Sequence, residues 1–73
     1  MRGERIFNII LSELTSEKLT YEEELERVIN SNNDTEYKVS NIKKLIELLT
    51  FKEATIAKFL GMVENNNEEK KTN

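Results

Sequence analysis

Residues 38–63 read Lys38-Val-Ser-Asn-Ile-Lys-Lys-Leu-Ile-Glu-Leu-Leu-Thr-Phe-Lys-Glu-Ala-Thr-Ile-Ala-Lys-Phe-Leu-Gly-Met-Val63. This is the longest run without a breaker before Gly61, and it holds most of the large apolar side chains. Val39, Ile42, Leu45, Ile46 and Leu49 share one side of a helix, with Lys43, Lys44 and Glu47 on the other. That spacing predicts an amphipathic helix over roughly residues 39–49. Thr50-Phe51-Lys52-Glu53 matches a capping box, which predicts a break at Thr50 and a further helix from Phe51. On that helix Phe51, Ile56, Phe59, Leu60, Met62 and Val63 spread around most of the circumference. Such a helix is either central or covered in part by another protein.

Working back toward the N-terminus, Asn30-Ser-Asn-Asn-Asp-Thr35 has the composition of a loop. The four residues from Glu36 to Val39 are compatible with extended chain, and Ser40 with an N-cap or loop. Before the loop, Thr20-Tyr21-Glu22-Glu23 forms a second capping box, with Glu22, Glu23 and Glu24 in the favourable first turn. Tyr21, Leu25, Val28 and Ile29 give that helix a narrow stripe. Residues 15–19 then read as a connector. A first helix over about residues 3–14 carries Ile6, Phe7, Ile9, Ile10, Leu11 and Leu14. At about 100° per residue these cover an arc of roughly 200°, wide enough to need covering from two sides. Beyond Val63 the residues 64–73 include no apolar side chain and read as a disordered polar tail.

The expected fold is therefore all-α, with three or four short helices in residues 1–63 forming one or two helical hairpins. Absence of proline and the presence of only two glycines remove the turn chemistry of all-β folds. A 73-residue chain has a small core and commonly needs a brace. Cysteine and histidine are both absent, which excludes disulfides, thiolate or imidazole metal sites, and the commonest general base. Oligomerisation is the brace that remains, with the first and last helices supplying the shared surface.

The net charge of −3 divides unevenly. Residues 1–36 carry four basic and nine acidic side chains, whereas residues 37–73 carry seven basic and five acidic. Opposed halves of this kind favour contact between them, within one molecule or between two. The acidic total is a poor footprint for nucleic acid. With 37% hydrophobic and 34% charged residues, and no apolar run longer than Ile9-Ile10-Leu11, nothing is expected to span a bilayer. The polar side of the first helix (Arg5, Asn8, Ser12, Glu13) lacks the cationic array of a membrane-surface helix. No secretory signal or myristoylation site is read at the N-terminus, so a cytoplasmic protein is expected.

Ile56-Ala57-Lys58-Phe59-Leu60-Gly61-Met62 resembles the first helix and turn of the helix-turn-helix family. In that resemblance Ala57 permits close helix packing and Gly61 supplies the turn. It implies a DNA-binding transcriptional regulator with a partial motif at residues 42–63. The residues that follow do not suit a recognition helix: Glu64, Glu68 and Glu69 repel phosphate, leaving Lys70 and Lys71 as its only basic support. Read without the resemblance, Gly61 is a helix C-cap.

No Gly-rich phosphate loop, nucleophile with a base or spaced acid constellation is present, so no catalytic, metal or cofactor site is expected. The expected function is that of a small regulator, inhibitor or adaptor acting on a larger protein and associating with itself. Tyr21, Phe51, Phe59 and Met62 are the expected apolar anchors, and Glu22 represents the acidic second helix. Another alternative is an oligomer that sequesters a small anion with Lys43, Lys44, Lys52 or Lys58 at an interface. The Asn/Lys/Ile/Glu-rich composition suits an accessory protein of a low-GC bacterium or its phage.

Overall fold

The computed structural model describes the backbone of residues 2–72 and the side chains of residues 3–65. Helix α1 (Arg2–Ile29) and helix α2 (Thr35–Thr72) pack against each other as one helical hairpin. Among the described residues there is no strand. The all-α hairpin expectation holds, but two long helices replace three or four short ones.

The reason lies in a repeat that runs through both supposed breaks. On α1 the inward residues are Phe7, Leu11, Leu14, Lys18, Tyr21, Leu25 and Val28. On α2 they are Lys38, Ile42, Leu45, Leu49, Lys52, Ile56, Phe59 and Val63. Steps of four and three alternate without interruption in both sets, which is the spacing of a coiled-coil seam. Every one of these residues is buried or half-buried, and Val28 and Leu45 are the most enclosed at 5% and 9% exposure.

Neither threonine acts as a cap. The Thr20 hydroxyl donates to the carbonyl of Ser16 at 3.0 Å, and the Thr50 hydroxyl donates to that of Ile46 at 2.8 Å. Both are back-bonds made inside a helix. A threonine costs a helix about 0.5 kcal/mol relative to alanine. Burying one large apolar side chain returns about 1.5–3 kcal/mol, so seam packing overrides the local signal. The connector expected at residues 15–19 is accordingly helical, as are Glu36 to Val39 and Ser40. Gly61 is not a C-cap: α2 continues through it, and no glycine has a positive φ.

The loop was legible and its details were not. Asp34 is the cap of α2, its Oδ1 accepting from the amide of Tyr37 at 2.8 Å. At the end of α1 the Ser31 hydroxyl donates to the Val28 carbonyl at 2.7 Å. Lys38 reaches back across the turn and donates to the Ile29 carbonyl at 3.1 Å, placing a cation at the negative end of α1. The expected tail at residues 64–73 falls for the most part outside the described side chains.

Cross-helix contacts fix the register. Phe7 meets Phe59 edge-to-face, with ring centroids 5.9 Å apart. Glu17 accepts from Lys52 at 2.6 Å, and Lys18 lies 3.8 Å from Glu53. Two lysines thus sit in the middle of the seam, each drawn to a glutamate on the opposite helix. They leave by opposite sides of the hairpin, which defines its two flanks.

Candidate interaction surface

Removing the seam residues leaves apolar side chains with no cover from within the chain. On the flank to which Lys52 and Glu17 belong, the heptad register places Ile6 and Ile10 of α1 with Met62 of α2 toward the open end, and Leu48 and Phe51 of α2 nearer the loop. Phe51 is 70% exposed, Ile6 and Met62 are each 56% exposed, and Ile10 and Leu48 are also exposed. On the flank of Lys18 and Glu53 it places Leu19 and Ile29 of α1 with Val39 and Ile46 of α2 toward the loop end, and Leu60 near the open end, all exposed.

The total surface shows how much this matters. A folded monomer of 8.6 kDa is expected to expose about 4,700 Å². The hairpin exposes 6137 Å². The surplus of roughly 1,400 Å² comes from its shape, 59 × 17 × 11 Å with a radius of gyration of 17.0 Å against about 11 Å for a compact chain of this length. A two-helix layer has one interior contact and two open sides, so it cannot enclose side chains placed off the seam.

The expected anchors separate along these lines. Phe51 and Met62 both lie exposed on the first flank, about three turns apart along α2. Tyr21 and Phe59 are half-buried in the seam, where Phe59 packs on Phe7. Glu22 lies on the other flank, 3.9 Å from Lys18 as an i,i+4 pair. Ile6, Ile10 and Leu48 complete the Phe51 surface and were not singled out by sequence reasoning. The available signal was subtraction: they are the large apolar residues on that flank that the four-three alternation leaves over.

Groups suited to small ligands are not gathered. Lys52 is engaged with Glu17 in the seam, whereas Lys43 and Lys44 line a shallow groove along α2 that also contains Glu36 and Glu47. A second groove along α1 is lined by Glu4, Arg5, Asn8, Ile9, Ser12 and Glu13. Each follows a single helix, and acids and bases alternate in both, so neither concentrates charge for an anion. Among the described residues no group of three or more acidic side chains is placed to hold a metal ion, and no helix is long and apolar enough to cross a membrane. Comparison with known proteins finds no matching family model, curated protein or solved structure.

Proposed function

We propose that this chain is a non-enzymatic protein-interaction module, a regulator, inhibitor or adaptor that works by docking onto a larger protein and that also associates with itself. The observation that carries the reading is the set of exposed large apolar side chains on two opposite flanks of an elongated hairpin. Isolated exposed apolar residues are ordinary, but contiguous ones on an elongated scaffold favour an interface. Phe51 and Met62 are of the residue types enriched in interface cores. The opposite flank offers Leu19, Ile29, Val39 and Ile46 toward the loop end, a strip suited to a partner helix or groove.

The test is capture of a target by the immobilised wild-type chain and by an Ile46→Glu variant, alongside calorimetry against duplex DNA and a panel of nucleotides. The reading expects a protein retained by the wild type and lost with Ile46→Glu, and no heat with DNA or nucleotide. Saturable heat with either ligand, with no protein retained, contradicts it.

A further inference from the structure

The two flanks distribute their exposed apolar residues differently. On the Phe51 flank they form two groups, with Glu13, Thr55 and Lys58 between them. On the opposite flank Leu19, Ile29, Val39 and Ile46, each about half exposed, are gathered in the half of the hairpin next to the loop. The other half of that flank carries Leu60 among Asn8, Ser12, Thr15 and Ala57.

The four gathered side chains are the walls of a groove, and the seam is its floor. Leu25, Ile42 and Leu49 line that floor, each half-buried. They share the heptad position of Lys18, which emerges on this flank with Glu22 at 3.9 Å and Glu53 at 3.8 Å. Residues at that position therefore turn toward this side of the seam. From Ile29 to Leu19 the apolar stretch runs about 15 Å at 1.5 Å per helical residue, and the Lys18 cluster ends it. That length matches about three helical turns. A third helix laid along two antiparallel ones fills such a groove with its own i, i+3, i+7 stripe.

The rims of the groove decide what kind of helix it takes. Glu22 and Glu26 stand on the α1 rim, and Lys18 at the far end is the only base that α1 brings to this half of the flank. On the α2 rim Glu36 and Lys43 balance each other. Among the described residues Glu26 has no ion-pair partner within the hairpin. The α1 edge of the groove therefore attracts positive charge. We propose that this groove binds a cationic amphipathic helix of a partner protein, with its apolar stripe on Leu25, Ile42 and Leu49 and its Lys or Arg side chains along the edge facing Glu22 and Glu26. The proposal rests on the reading of the chain as an interaction module and names the chemistry of its partner.

The probes are two synthetic helical peptides of about three turns. Both carry the same leucine stripe at i, i+3, i+7 and i+10, and one edge is lysine in the first and glutamate in the second. Each is titrated into the full chain by calorimetry, with the helicity of every variant checked by circular dichroism. The lysine-edged peptide is expected to bind about tenfold or more tightly than its twin, with the preference shrinking at high salt. Ile46→Asn is expected to weaken that binding about tenfold, and Phe51→Asn on the opposite flank to leave it unchanged. The double variant Glu22→Gln with Glu26→Gln keeps the apolar groove and is expected to bring the two peptides within about threefold of each other. Equal binding of both peptides to wild type, or binding of neither, overturns the proposal. Loss of binding with Phe51→Asn and not with Ile46→Asn places the contact on the wrong flank and also overturns it. Sedimentation in which Ile46→Asn, and not Phe51→Asn, dissociates an oligomer gives the groove to a second copy, with the same consequence. A target captured by wild type and lost with Ile46→Glu, when neither peptide binds, removes the charge assignment and keeps the functional reading, so the two failures are separable.

Discussion

Leu45 and Phe51 stand on the same helix fewer than two turns apart, yet Leu45 is 9% exposed and Phe51 is 70% exposed. Chemistry does not separate them, since both are large and apolar. Position does. Leu45 falls on the four-three alternation that α1 answers with its own, whereas Phe51 falls one flank away, where nothing in the hairpin can reach. The contrast teaches that a two-helix layer sorts apolar residues by register alone. What the seam takes is internal structure, and what it leaves is surface available to another chain.

The sharpest way to break this contrast is to empty the seam. Leu45→Ala is expected to destabilise the hairpin by about 2–4 kcal/mol, the cost of removing a buried leucine side chain. Phe51→Ala made in parallel is expected to act mainly through association. Its unfolding midpoint should converge on that of wild type as the protein is diluted below the dimer range. Denaturant titration at two protein concentrations checks both. Equal, concentration-independent losses for the two variants would erase the distinction between seam and flank.

A smaller effect sharpens the boundary of α2. Asp34→Ala is expected to cost about 1 kcal/mol by removing the cap on the Tyr37 amide, with Asp34→Asn recovering most of it. Thermal melts monitored at the helical band follow the difference. The smallest effect carries a sign that decides between two readings of the sequence. Thr50→Ala is expected to stabilise by a few tenths of a kcal/mol, since alanine is the better interior residue and the lost hydroxyl only back-bonds to Ile46. If Thr50 were a true N-cap, the same change would cost about 1 kcal/mol.

That sign is also where legibility in the sequence ended. Helical class, the polar loop after Asn30 and an excess of apolar helix surface follow from composition and periodicity. The number of helices does not follow from the windows used, because Thr20-Tyr21-Glu22-Glu23 and Thr50-Phe51-Lys52-Glu53 satisfy a local capping pattern at sites where the tertiary seam runs straight through. Reading Phe7 to Val28 and Lys38 to Val63 as single heptad series exposes the error, but Lys18 and Lys52 disguise those series by placing charge on the apolar stripe. The same two lysines explain why the expected anchors mixed Phe51 and Met62, which are exposed, with Tyr21 and Phe59, which are half-buried in the seam. Without the register, an apolar residue on the seam and one on the flank look alike. Asp34 escaped notice for a related reason: it caps without the reciprocal glutamate that completes a box.

The central claim is that this hairpin has more apolar surface than a single copy can cover. Sedimentation equilibrium of the unmodified chain across the micromolar range tests it most directly. The account predicts a mass of twice the 8.6 kDa of one chain, falling toward the monomer on dilution together with helicity. A fully helical species that keeps the mass of one chain at every concentration would contradict it.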